Sequence, residues 1–338
     1  MASNKQQPSY TMLDLVNIVD TWPYPSSPNY QNHLASYYTL HIAPYPLPIG
    51  HLHREFVSRI PWPANLWTIS HANRTITLTP LGPSTFESRT EAMRLTLRAG
   101  NAAPNPVRSL RRWTGEDFPL FYPPTREIVL KLDGCGVDML GGINESVFLI
   151  AYVKPHAAEQ GDEHKLWISR RAAWKSAYPK MWDCTAGGGL AWGETPLDGI
   201  VRESWEEVAL PKGFIRRGAK YVGENTFQLC RTELGEEGCQ LQVQHLFEVE
   251  LHPLVENDEL IKPDPEKAPT EECMEVRLMG VTEVKRRMRD GEMKPGAAMV
   301  VLDWMVRWGY VSEETEGKEE FEEIKARLKR GLVIPVVF

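Results

Sequence analysis

Glu203, Glu206 and Glu207 stand at positions i, i+3 and i+4, a spacing that gathers three carboxylates on one patch of a helix surface. Like charges so placed repel by about 0.2–0.5 kcal/mol per pair, and Arg202 is the one cation in the stretch 187–210. A hard divalent cation, Mg²⁺ or Mn²⁺, would relieve the repulsion, because such ions prefer ligand sets made of oxygen. Just upstream lie the glycines Gly187, Gly188 and Gly189, and Glu194 precedes Arg202 by eight residues. An acidic helix face alone is ordinarily a solvated surface. A glycine turn, an upstream Glu, an Arg-Glu pair and further acids at fixed spacing together argue against that ordinary reading and for a bound divalent cation.

The elements that must hold these residues can be read from local signals. Thr195 suits a helix N-cap, Pro196 the first helical position, and Asp198, three residues after the cap, completes a capping box. Leu197, Val201, Ser204 and Val208 then form the buried stripe of that helix. Residues 146–153 and 165–170 read as strands joined by a polar loop ahead of the glycine turn. Residues 221–229, 240–251 and 275–279 read as further strands, and 281–289 and 297–308 as helices. Together these make an α/β sandwich pattern. Before residue 140, the pattern predicts a helix over 12–19, a hairpin of 67–70 with 75–79, a helix over 88–97, and irregular stretches at 99–106 and 118–124. Residues 313–330 run from acidic to basic along one predicted helix. The expected division is an α+β domain over 1–140, an α/β domain over 141–311 and a helical tail over 312–338.

Composition narrows the class. The 338 residues are 42% hydrophobic and 25% charged, which suits a folded chain long enough for two domains. A net charge of −7 without a basic, aromatic-interleaved cluster argues against nucleic acid as partner. Five cysteines without a CxxC pair suggest neither a disulfide framework nor a zinc site. The N-terminal residues, Asn4, Lys5, Gln6 and Gln7 among them, lack an apolar signal core, and no stretch has membrane-span length, so no membrane partner and a cytoplasmic location are expected. The partner is expected to be a small-molecule diphosphate, and the sequence is compatible with a homodimer.

The segment GGGLAWGETPLDGIVRESWEEVAL resembles the box of the Nudix hydrolases. The resemblance implies an α/β/α sandwich with a mixed sheet, preceded here by a smaller α+β accessory domain, and hydrolysis of a P–O–P linkage with Mg²⁺ (or Mn²⁺) as cofactor. It implies that Glu203, Glu206 and Glu207 bind metal with the Gly187 carbonyl, and that Arg202 orients carboxylates including Glu194. Family members usually add an acid from a loop outside the box; Glu271, Glu272, Glu275 and Glu248 are candidates, with Glu272 favoured as a loop acid beside a strand. Two positions depart from the family pattern: Ser204 stands at a usually aliphatic site and Ala209 at a usual glycine.

Upstream, KLWISRRAAWKSAYPKMWDCTAGGG resembles the branch that includes isopentenyl-diphosphate isomerase and the thiamin-pyrophosphokinase-related hydrolases. The isomerase needs a cysteine segment that has no counterpart here. MLDLVNIVDTWPYP and GEDFPLFYPPTREIVLKLDGCGVDMLGG look like the accessory domain of the thiamin-pyrophosphokinase-related group, whose implied activity is hydrolysis of thiamin diphosphate or its oxo and oxy analogues to the monophosphate and phosphate. Kinase activity is not expected. Arg170, Arg171 and Lys175 are candidate phosphate contacts, and Trp167, Trp174, Trp182 and Trp192 bracket the glycine turn, with Trp182 the candidate for stacking on the substrate. A nucleoside-diphosphate derivative or coenzyme A as substrate, or a degenerate Nudix fold used for binding, are the competing readings.

Overall fold

The computed structural model describes residues 9–332 except 80, 81, 112, 156–162, 233, 234, 252–254, 257 and 258. Residues 4–7, the middle of the polar loop after 153 and the tail end 333–338 therefore lie outside the described residues.

The first half is built on a four-stranded sheet of order β2-β1-β4-β3, from β1 (Tyr37–Ile42), β2 (Gly50–His53), β3 (Trp67–Ser70) and β4 (Thr75–Leu78). β3 and β4 form the expected antiparallel hairpin, whereas β1 and β4 run parallel. Helix α1 (Met12–Val19) precedes this sheet, α2 (Tyr30–Leu34) leads into it, α3 (Arg54–Arg59) follows β2, and α4 (Phe86–Asn101) buries Ala92, Met93 and Leu97 in its core. Helix α4 runs past the expected boundary because Thr85 and Ser88 close a capping box at its start and nothing before residue 101 breaks it. The stretch 118–124, expected to be irregular, is instead mostly strand: β5 (Asp117–Tyr122) pairs with β6 (Glu127–Asp133). Pro119 hides the pattern in the sequence, but a two-stranded ribbon leaves outward-facing edge positions where a missing N–H costs nothing. Helix α5 (Gly134–Leu140) closes this half.

The second half is organised by one mixed sheet of order β11-β12-β7-β8-β15, with β10 beside β7 and β9 beside β8. Its strands are β7 (Ile143–Val153), β8 (Lys165–Arg171), β9 (Trp182–Asp183), β10 (Ala186–Gly189), β11 (Lys220–Arg231), β12 (Glu237–Glu250) and β15 (Cys273–Gly280), with a separate small ribbon of β13 (Val255–Glu256) and β14 (Glu259–Leu260). β7 and β12 are parallel and the other pairs are antiparallel. Because side chains alternate along a strand, β7 sends Val147, Leu149 and Ala151 to one face and Phe148, Ile150 and Tyr152 to the other. The first face packs on α6 (Pro196–Val208) and α7 (Lys212–Gly218); the second packs on α8 (Val281–Arg289) and α9 (Pro295–Arg307). This is an α/β/α sandwich. Helix α1 contributes Met12, Leu15, Val16 and Val19 to the second layer, so the chain's first helix is buried against its last third.

The predicted helix over 313–330 is two helices, α10 (Glu313–Glu316) and α11 (Lys318–Leu328), separated by Gly317 at φ 83°. The charge gradient was real but Gly317 in the left-handed region interrupts the ladder. α11 is then held by Arg327 and Arg330, which both pair with the buried Asp20 just after α1.

Both departures in the acidic helix have structural consequences. Ala209 caps α6 at φ 52°, a left-handed conformation that an alanine Cβ disfavours. Ser204 is fully buried and its hydroxyl lacks a hydrogen-bond partner among the described residues. Ala209→Gly and Ser204→Ala are each expected to raise stability by about 1 kcal/mol, measurable as a shift in the urea midpoint at unchanged slope.

Candidate active site

Helix α6 begins as the sequence predicts: Thr195 Oγ1 accepts from the Asp198 N–H and the Asp198 carboxylate accepts from the Thr195 N–H, with Pro196 in the first turn. From this fixed start, Arg202 reaches back to the glycine turn. Its guanidinium donates to both Glu194 oxygens (2.6 and 2.9 Å), to Glu203 (2.8 Å), to Glu206 (3.2 Å) and to the Gly189 carbonyl (3.1 Å). The bonds it donates to Glu194, with the Coulombic pull of Glu203 and Glu194, hold the guanidinium proton far more tightly than usual. Glu194 also accepts from the Ala191 N–H, which ties the loop to the helix.

Glu203 is buried, and its carboxylate lies against the glycine strand. A Cβ on Gly188 would stand 2.2 Å from Glu203 Oε1, so this glycine is required by close approach. Glu207 accepts a hydrogen bond from the Gly187 N–H at 3.0 Å. Burial raises the Glu203 pKa to about 7, against the lowering effect of Arg202 and with the added repulsion of Glu206 and Glu272. Burial, then Glu203 and Asp183, push the Glu207 carboxyl well up, and the Gly187 N–H only partly offsets this.

A cleft of about 350 Å³ opens over these acids. Glu203, Glu207, Glu272 and Gly187–Gly189 line it, as do Arg171, Lys175, Lys294 and Tyr178. Of the four loop-acid candidates, Glu272 alone is on the cleft wall, and it pairs with Lys175 at 2.6 Å. Glu275 is taken up by Arg170 and Arg277, and Glu248 by Arg307; Glu271 accepts a bond at its carbonyl from the exposed Trp174.

Arg170 and Arg171 are neighbours on β8 and so point to opposite faces. Arg171 faces the cleft and pairs with Asp183, whereas Arg170 pairs with Glu275 outside it. Trp182, expected at the substrate, is buried away from the cleft beneath the guanidinium groups of Arg287, Arg170 and Arg277 at 4.8, 5.3 and 5.4 Å. Trp167, Trp174 and Trp192 are likewise outside the lining; Trp192 stacks on Phe86. The aromatic surface of the cleft comes from Phe118, Phe148, Phe227 and Tyr178 instead. Phe118 of β5 packs so closely on Gly189 that a Cβ there would meet its ring at 2.4 Å, so the first half of the chain supplies a wall. Sequence reasoning also missed Lys294 and the amides of β12; an alternating QLQVQ run was the one signal for the latter.

The donor set fits a hard divalent cation. Buried Glu203 and half-buried Glu207 lie beside each other with Glu272 and Gly187 on the same wall, and their carboxylates are oxygen donors. Among the described residues no three acidic, histidine or cysteine side chains already meet as a closed cage; Glu206 is turned to Arg202. A cation would therefore draw Glu203, Glu207 and Glu272 together from positions they already share.

This charge arrangement has a pH signature. The folded-state pKa values of Glu203 and Glu207 lie above their unfolded values, so their contribution to stability is complete at low pH and is lost as pH rises, for Glu203 from about 4.5 through 7 and for Glu207 in the same direction. A divalent cation held there would bind the ionised forms, so a melting-temperature gain from Mg²⁺ is expected to grow between pH 5.5 and 8. A gain that is flat across that range, or equal in Glu203→Gln/Glu207→Gln, would contradict it.

Residues 157–298 match the profile of the NUDIX domain. The chain is 24% identical over 235 residues to the uncharacterized protein YJR142W of Saccharomyces cerevisiae, a match covering 68% of this chain and 64% of that protein, so less than two thirds of the relative is spanned. DR0079 from Deinococcus radiodurans is 19% identical, with 56% of this chain and 98% of that one covered at a TM-score of 0.38. A C. elegans Ap4A hydrolase is 10% identical, with 50% and 99% covered at a TM-score of 0.33. The glycine strand, the capped acidic helix and the loop acid all fall inside the matched segment, and residues 157–298 are a Nudix domain.

Proposed function

We propose that the protein is a divalent-metal-dependent Nudix pyrophosphohydrolase that cleaves thiamin diphosphate or its oxo and oxy analogues to the monophosphate and phosphate. The observation that carries the hydrolase reading is the pair of buried Glu203 and half-buried Glu207, pressed against a glycine strand on the wall of a cleft that also holds Arg171, Lys175 and Lys294. Carboxylates buried this way are poor structural elements and good metal ligands.

Glu203, Glu206, Glu207 and the Gly187 carbonyl would hold Mg²⁺ or Mn²⁺, with Glu272 joining from its loop. When bound, the cation would neutralise diphosphate oxygens and lower the pKa of a water at the site. The remaining work falls to the chain. Arg202 fixes Glu194 and the glycine turn, keeping Glu203 in place. Lys175 and Arg171 offer charge to the outer phosphate. Lys175 now neutralises Glu272; a phosphate that takes over Lys175 leaves that carboxylate free to accept a proton from attacking water. The thiamin-type substrate is supported by the resemblance of residues 12 to about 310 to that group, and the free cysteines fit a cytoplasmic setting.

The test is a panel of thiamin, oxythiamin, nucleoside and coenzyme A diphosphates, assayed with Mg²⁺ for the phosphate-bearing products. Oxythiamin diphosphate is expected to turn over fastest and to give the monophosphate. Faster release from a nucleoside diphosphate derivative or coenzyme A would replace the substrate, and no release from any of them would overturn the hydrolase reading.

A further inference from the structure

The cleft holds a second kind of chemistry beside its acids. Gln240, Gln242 and Gln244 on β12 line it together with Asn144 and Ser146 on β7. The register places Asn144 beside Gln242 and Ser146 beside Gln244, and sets Phe227 of β11 on the other side of Gln242. Leu241 and Val243, between the glutamines, lie in an apolar cluster on the opposite face. A buried interior strand normally carries apolar side chains on both faces, so a row of amides there calls for polar partners.

Most of that demand is met inside the protein. Ser146 Oγ donates to Gln242 Oε1 at 3.4 Å, and Gln244 Nε2 donates to the Gly296 carbonyl at 3.0 Å. Gln244 Oε1 is different: the residue is 2% exposed and this oxygen has no hydrogen-bond partner among the described residues. The Gly296 carbonyl fixes the amide's orientation, because a reversed amide would set oxygen against oxygen. This acceptor, covered as the cleft stands and carried by a residue of its wall, lacks the partner that an N–H donor would supply once the side chains around it make room.

We infer that this end of the cleft seats the heterocycle of the substrate, which donates a ring N–H or an exocyclic amine to Gln244 Oε1. The inference rests on the diphosphate-hydrolase reading. Gln244 and Gly189 both stand beside Ser146, on opposite sides of β7, so two strand spacings, roughly 10 Å, separate the amide from the glycine strand over the acids. That span suits a ring joined to a diphosphate by a short linker. The amine of thiamin's pyrimidine and the lactam N–H of the oxy analogue both meet the requirement, and a simple alkyl diphosphate does not.

The experiment compares oxythiamin diphosphate with its counterpart methylated on the lactam nitrogen, in wild type and in Gln244→Met. In wild type, methylation is expected to lower kcat/KM at least about tenfold, mainly through KM, because a buried polar group left unpaired discriminates strongly. In Gln244→Met the ratio between the two compounds is expected to fall toward one. Equal use of both by wild type, or an undiminished ratio in the variant, overturns the inference. Calorimetric binding of the two corresponding monophosphates makes the same comparison without turnover. Discrimination in binding without hydrolysis would sink the hydrolase reading alone, and hydrolysis without discrimination would sink this inference alone.

Discussion

Glu207→Gln is expected to lower Mg²⁺-dependent phosphate release by on the order of a thousandfold, about 4 kcal/mol of activation free energy. The substitution keeps the shape and keeps an oxygen to accept from the Gly187 N–H. It removes one negative charge from a half-buried carboxylate on the cleft wall. Because that carboxylate is held near Glu203 and Asp183 at a cost to the free protein, the variant is also expected to be at least as stable as wild type at pH 8. Activity loss with stability retained separates a metal-binding role from a structural one. Turnover within a few-fold of wild type would remove Glu207 from the metal site.

Arg202→Met is expected to act in the opposite way, mainly on folding. One guanidinium makes five hydrogen bonds here and neutralises Glu194, Glu203 and Glu206 together. Its removal leaves half-buried carboxylates without a counter-charge, a change worth about 3–5 kcal/mol where pairs are well desolvated. A urea titration of the metal-free protein should show a loss near the lower end, since these groups keep some contact with water. Arg202→Lys should recover only part of it, because an ammonium cannot bridge Glu194 with two parallel bonds. A loss below about 1 kcal/mol in Arg202→Met would mean that the cluster is held by other means.

These two residues also mark the limit of what is legible from order alone. The acidic helix could be read in full because its determinants are local: a threonine cap, a proline in the first turn, an i, i+3, i+4 spacing and the glycines before it all act within about twenty residues. Most strands of the second half were legible for the same reason, since alternation is a property of neighbours. The substrate contacts were harder. Arg170 and Arg171 look alike in a list of cations, and strand geometry says that one of them must turn away, but the sheet's packing decides which. Trp182 is a strong stacking candidate by composition, yet three arginines from separate elements, Arg170, Arg277 and Arg287, enclose it.

By itself, then, the chain's sequence determined the spacing of the acids, the helix that carries them and the α/β pattern around it. Tertiary structure alone decided which loop acid faces the cleft, that Phe118 from the first half forms its wall, and that Gln242 and Gln244 align with Asn144 and Ser146 nearly a hundred residues away. The physical reason is range: caps and helical spacing are fixed by bonds within a few turns, whereas a cleft is fixed by strand register and by which faces of distant elements must be kept from water.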